Sequence, residues 1–191
     1  MKKFVTLILV SFTLLFCFSF AVFAAEREAT GEEISAVKSG QSLAYRWEDS
    51  ENHWKLLYLD TKEKAWKYAK DRWVQIGHRF YFFDANGNAM EGWFQDEGKW
   101  YFAEYDNLKR NNDNAGLVLT GWASIPDEKG KNQTYYFTTD ESGRPSGILQ
   151  GTAGKYDAFT VDGQQVYFDE LGHADMRSVS ASVPKFAGKR T

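Results

Sequence analysis

Hydrophobic and polar positions are distributed unevenly along the chain. A continuous apolar run extends from Phe4 to Phe23. A polar stretch follows over residues 26–40. Short aromatic clusters then recur at intervals, separated by Gly, Asn, Asp and charged residues. The clearest unit runs from Trp73 through the cluster Phe80-Tyr81-Phe82-Phe83, the segment Asp84-Ala85-Asn86-Gly87 and on to Gly92-Trp93. The next opens at Trp93, reaches Trp100-Tyr101-Phe102 and resumes after an insertion at Gly121-Trp122. A third carries Tyr135-Tyr136-Phe137 followed by Gly143 and Gly147, and a fourth carries Val166-Tyr167-Phe168-Asp169 and Gly172. An eroded earlier unit spans Trp47, Trp54 and Leu56 to Asp60.

These clusters are too short for helices, rich in residues that favour strands, and bounded by turn formers. Each unit reads as a β-hairpin. The aromatic run forms one strand, Asp84–Gly87 the turn, and the segment up to Gly92-Trp93 the short return strand. The one stretch with helical propensity is 61–72, rich in Lys, Glu and Ala. Isolated hairpins are barely stable in water. Stacking them buries aromatic faces between neighbours. The expected fold is therefore all-β, a solenoid of stacked β-hairpin repeats. Two insertions, 104–114 and 149–158, interrupt the period.

The ends separate from this pattern. Lys2 and Lys3 precede the apolar run, and Val22-Phe23-Ala24 presents small residues at the spacing signal peptidase requires. Residues 1–24 read as a signal peptide cleaved before Ala25. The rival is an uncleaved anchor, since the run is long enough to span a bilayer. Cys17, the single cysteine, leaves with the signal, so the mature chain relies on packing and repetition rather than disulfides. The organisation expected is a linker over 25–46, a repeat module over 47–176 and a flexible tail over 177–191. The expected location is secreted and associated with the cell wall, with no membrane partner after cleavage.

Loss of Lys2 and Lys3 takes the formal net charge from −3 to −5. That balance argues against nucleic acid and anionic surfaces as partners. The aromatic content of 17 % is more than the one-sided cores of short strands can absorb, which points to rings lining a surface or groove.

The pattern of Gly92-Trp93, six residues, Trp100-Tyr101-Phe102, and later Thr120-Gly121-Trp122 resembles the choline-binding, or cell-wall-binding, repeat family of Gram-positive surface proteins. It is also similar to glucan-binding and clostridial-toxin repeats. The resemblance covers roughly 47–176. It implies a ligand site between consecutive hairpins, with two rings from one repeat and a Tyr from the next. Carried over by position, the resemblance implies Trp93, Trp100 and Tyr135 as one site. It implies Trp73, Phe80 and Tyr101 as another, and Trp47, Trp54 and Tyr81 as a third. A site opening at Trp122 would need aromatic residues where Thr134 and Val166 stand, and is read as lost. The partner implied is choline-bearing teichoic acid or a wall glycan.

The chemistry suits the residue types. A quaternary ammonium donates no hydrogen bond and is drawn to electron-rich ring faces, by about 0.5–2 kcal/mol per good contact. Trp holds it best and Phe least, so Phe80 weakens its site. The same rings stack on sugars. A purely structural role, packing hairpin on hairpin, is the competing reading for every ring in the set. Met90 reads as a core filler. His53, His78 and His173 have no metal-ligand spacing, and no cofactor is expected. Asp84 and Asp169 stand at matching turn positions, where capping explains them better than acid catalysis. No nucleophile motif appears, so the chain is read as non-catalytic.

Overall fold

The computed structural model describes residues 26–40, 44–50, 53–106 and 114–178. The expected signal peptide, Cys17 and nearly all of the expected tail lie outside the described residues. The chain divides into two compact units, Met1–Ala69 and Lys70–Thr191.

In the first unit, the stretch read as a linker contains strand β1 (Arg27–Glu28) and helix α1 (Gly31–Lys38). Thr30 and Glu33 form a reciprocal capping box at the helix start. Strands β2 (Tyr45–Ser50), β3 (His53–Asp60) and β4 (Ala65–Tyr68) join β1 in an antiparallel sheet ordered β1-β4-β3-β2. The core is Leu57, Leu59 and Trp66, with Ile34 and Val37 of α1 packed on it. The helix expected over 61–72 is not formed. The Asp60 carboxylate accepts from the Lys62 and Glu63 amides, turning the chain so that β4 pairs Trp66 with Leu59. Burying Trp66 against that cluster outweighs the local helical preference of a Lys-rich stretch.

The second unit is a succession of hairpins: β5 (Arg72–Ile76) with β6 (Arg79–Phe83), β7 (Gly92–Asp96) with β8 (Lys99–Ala103), β9 (Gly121–Pro126) with β10 (Asn132–Thr139), and β12 (Asp157–Val161) with β13 (Gln164–Phe168). Strand β11 (Pro145–Ile148) adds to β10. The all-β class and the stacked repeats stand as the sequence indicates, but the phase of the hairpin differs. The long ladder lies before the aromatic run, not after it: Trp73 pairs with Phe82 across the two-residue turn Gly77-His78. The return segment beyond Asp84–Gly87 contributes a single bridge, Phe83 to Ala89. Equivalent bridges join Ala103 to Val118 and Phe168 to Ala174. In three hairpins the Trp that opens the unit pairs across the ladder with an aromatic of the run: Trp73 with Phe82, Trp93 with Phe102 and Trp122 with Tyr136.

Asp84, Asp127, Asp140 and Asp169 build one and the same turn. Each carboxylate accepts from the amides two and four residues on, and each backbone N–H donates to the carbonyl four residues on. The fourth residue is always Gly, with φ between 77° and 83°, where a side chain would be strained. Capping, the role expected for Asp84 and Asp169, is what both residues do.

Each hairpin presents two faces, because alternate residues point to opposite sides. Trp73 and Phe82 pack on Phe94 and Tyr101 of the next hairpin. Trp93 and Phe102 pack on Tyr135 and Phe137 of the one after. Trp122 and Tyr136 join the cluster of Val161, Val166 and Phe168. The same pair of faces meets at every seam. The corresponding face of the last hairpin, Ala158, Thr160, Gln165 and Tyr167, is exposed.

Candidate functional site

Ladder register decides which residues are equivalent between hairpins. Trp73, Trp93 and Trp122 sit opposite Phe82, Phe102 and Tyr136. Two rungs further toward the turn, on the same face, Gln75, Gln95 and Ser124 oppose Phe80, Trp100 and Thr134. In the first unit, Trp47 opposes Leu56 and Asp49 opposes Trp54, so Trp47 and Trp54 keep the spacing of Trp93 and Trp100. On the opposite face, Tyr81, Tyr101, Tyr135 and Val166 occupy one rung.

Of the three residue sets read from the sequence, Trp93, Trp100 and Tyr135 come together most openly. The Trp93 ring lies 6.5 Å from Trp100, with their planes at 82°, and 4.8 Å from Tyr135 at 65°. Trp93 is half-buried, Tyr135 is buried, and Trp100 is 41 % exposed. Trp93 and Trp100 are diagonal neighbours on one face. Trp100 is the exposed member of this perpendicular pair.

The second set is more closed. Trp73 touches Tyr101 with ring centroids 5.0 Å apart, and is further packed by Phe82 and Phe94. Phe80 lies on the same face but is 7 % exposed, so it offers little ring surface. In the third set, Trp47 and Trp54 belong to the first unit and Tyr81 to the second. Met90 packs against the cluster of Phe94, Tyr101 and Val118, as expected of a core filler.

Two residues that the sequence reading passed over anchor the tryptophans. The indole N–H of Trp73 donates to Asp96 Oδ2 at 2.8 Å, and that of Trp122 to Asp162 Oδ2 at 3.0 Å. Both acceptors sit at the β-turn of the next hairpin. Asp162 stands directly before Gly163 and Asp96 two residues before Gly98, but the pairs are 40 and 23 residues apart, beyond any local pattern.

A concave groove of about 600 Å³ adjoins the Trp93 seam. Trp93, Tyr105 and Tyr135 supply rings to it, and Glu91, Asp127 and Glu128 supply carboxylates. Tyr105 comes from the insertion after β8 and packs edge-on against Phe102. Burial raises the Tyr105 phenol, with Glu91 adding to it. Tyr135 is pushed up to about 12, first by burial and then by the charges of Asp169 and Asp127. Both tyrosines therefore stay neutral at ordinary pH.

No family model matches the chain, and no curated protein matches it. Among solved structures it is similar to the multimodular pneumococcal cell wall endolysin from phage Cp-1 complexed with choline: 17 % identity, TM-score 0.37, covering 75 % of this chain and 41 % of that one. It is similar to choline binding protein F from Streptococcus pneumoniae at 19 % identity and TM-score 0.29, covering 73 % and 45 % of the two chains. It is also similar to truncated alternansucrase from Leuconostoc mesenteroides at 15 % identity and TM-score 0.35, covering 62 % and 9 %. The chain spans less than half the length of each. These neighbours stand beside a likeness already carried by the chain's own Gly-Trp and Trp-Tyr-Phe motifs, and the family the chain resembles is that of the choline-binding repeats.

Proposed function

We propose that this chain is a secreted, non-catalytic module that attaches to the cell wall by holding choline groups of wall polymers such as teichoic acid against aromatic walls. The observation that supports it best is the pair of perpendicular indoles, Trp93 and Trp100, 6.5 Å apart, with one of them 41 % exposed. A trimethylammonium group needs ring faces and no hydrogen-bond acceptor. Two faces at right angles meet a near-spherical cation from two sides, and Tyr135 closes the seam behind Trp93. The Trp73 set serves less well, because Phe80 is buried. Trp47 and Trp54 repeat the spacing in the first unit. Several weak sites on one chain bind a choline-bearing polymer with avidity beyond that of any single site.

The test is a choline titration followed by tryptophan fluorescence, on the parent chain and on Trp100→Ala. A saturable change at millimolar choline that is reduced in the variant supports the proposal. A flat titration, or a chain that does not bind a quaternary-amine resin, overturns it. Retention on dextran or wall glycan that choline does not displace would assign the ring faces to carbohydrate instead.

A further inference from the structure

His173 stands against the Trp93 seam from the turn after β13. Its ring centroid lies 5.4 Å from that of Tyr135, with the planes at 63°. Tyr135 in turn lies 4.8 Å from Trp93. One phenol ring therefore touches both an indole of the seam and an imidazole.

The turn that carries His173 is tied down on several sides. Its amide donates to Asp169 Oδ1 at 2.8 Å, and its Nδ1 lies 2.9 Å from Asp169 Oδ2. The Ala174 amide donates to the carbonyl of Thr134, the residue before Tyr135, and the Asp175 amide to the carbonyl of Tyr167, both at 2.8 Å. Gly172 sits close against Ile148. The imidazole has little freedom to leave Tyr135.

The equivalent turns place Asn88, Lys131 and Arg144 where His173 stands, four residues after the capping Asp. Asn88 makes a similar side-chain bond, from Nδ2 to Asp84 Oδ2 at 3.2 Å, with a group that does not titrate. Of these four residue types, histidine is the one whose charge changes between pH 5 and 8. The strands that meet the turn, β10, β11 and β13, carry no Asp, Glu, Lys, Arg or His. The carboxylates whose charge reaches Tyr135 are Asp169, on the His173 turn, and Asp127, on the turn between β9 and β10. Nearby, Glu170 accepts from the Gly154 amide and Asp175 pairs with Arg177.

From this arrangement we infer that His173 makes the hold on choline at the Trp93–Tyr135 seam dependent on pH, tighter with a neutral imidazole and weaker with a protonated one. The inference rests on the proposed choline reading of that seam. Two effects act with one sign. An imidazolium within about 6 Å of a phenol engages the electron density of its ring in a cation–π contact, which leaves less for a trimethylammonium at the same ring. It also offsets the charge of Asp169, whose field at Tyr135 otherwise favours a cation. Choline itself keeps its charge at every pH.

The test measures choline affinity of the full chain near pH 8 and near pH 5.5, from the part of the tryptophan fluorescence response that Trp100→Ala removes. The parent chain should bind about threefold more weakly at the lower pH. His173→Asn, which installs the residue type that Asn88 provides in the equivalent turn, should bind equally at both, and its melting curve reports whether it is folded. In the parent, the midpoint of the affinity loss should coincide with the midpoint at which the His173 ring titrates by NMR. Binding at pH 8 that is unchanged at pH 5.5 overturns the inference and leaves the choline reading standing. A pH dependence that survives in folded His173→Asn, or two midpoints that differ, overturns it equally. Absence of saturable choline binding at both pH values overturns the choline reading itself, and the inference with it. Should the variant not fold, the two midpoints in the parent chain decide alone.

Discussion

Trp73 reaches out of its own hairpin to place its indole N–H 2.8 Å from the carboxylate of Asp96 in the next, and Trp122 does the same to Asp162. The bond fixes the angle of a ring that is otherwise held only by non-directional contacts. Asp96→Ala should cost about 1–2 kcal/mol, since it removes a charge-assisted partner from a half-buried donor. Trp73→Phe should lose a similar amount, and the two together should cost less than their sum, because they share one interaction. Urea denaturation of the four proteins in the cycle measures this. Strict additivity would show that the contact carries no energy.

Phe80 and Trp100 occupy the same rung of successive hairpins and differ in exposure, 7 % against 41 %. Phe80→Ala should lower stability by about 3–5 kcal/mol, as for a large core ring. Trp100→Ala should lower it by about 1 kcal/mol or less, since surface positions rarely cost more, while diminishing the response to choline. Thermal melts and ligand titrations on the two variants separate the structural from the binding role. A Trp100→Ala loss as large as that of Phe80→Ala would show Trp100 to be a packing residue.

Gly92 opens the ladder with φ 75°, and a Cβ there would stand 2.1 Å from the Tyr105 hydroxyl. Gly92→Ala meets two separate penalties, backbone strain of about 1–2 kcal/mol and a clash that Tyr105 must relieve by moving. Tyr105→Ala in the same chain should remove the clash alone. The double variant is then expected to melt higher than the sum of its single effects predicts, yet below Tyr105→Ala by the backbone term.

Acid should loosen the first unit progressively as pH falls below the range in which ordinary carboxylates titrate. The hydrogen bond from Arg27 lowers Glu33 to about 2, with the Thr30 amide and the Arg27 charge assisting and burial opposing. A carboxyl lower in the folded state than in the unfolded one stabilises fully above its unfolded value, near 4.5. That contribution fades as pH falls from there toward about 2. Circular dichroism melts of the isolated pair of variants, parent and Arg27→Met, should diverge at pH 6 and converge near pH 2. Curves that stay apart at low pH would mean that Arg27 acts through packing instead.

The sequence carried most of the repeat logic. Asp84 and Asp169 were legible as turn residues because Asp followed three positions later by Gly is a local signal with a local cause. The equivalence of Tyr81, Tyr101 and Tyr135 was legible because spacing within a hairpin fixes rung position, and the observed registers place them on one rung. The phase of the hairpin was not, since a two-residue turn at Gly77-His78 and a longer one at Asp84–Gly87 both favour reversal, and only stacking of Trp73 on Phe94 and Tyr101 selects the first as the long ladder. The strand at Ala65–Tyr68 was hidden for a similar reason, because its stability comes from Leu59 across the sheet and not from its own composition. The groove could not be read at all. Its walls come from Glu91, Tyr105, Asp127 and Tyr135, which only the insertion after β8 and the turn after β9 bring to one place.

The exposed face of the β12–β13 hairpin has a kinetic consequence. Among the described residues, the β7–β8 hairpin packs on both of its faces, against β5–β6 and against β9–β10, whereas Ala158, Thr160, Gln165 and Tyr167 are exposed. The β12–β13 hairpin should therefore open more readily than β7–β8, with amide protection higher in β8 than in β13. A molecule whose least covered hairpin opens alone can lose and regain it without surrendering the indoles at Trp93 and Trp100.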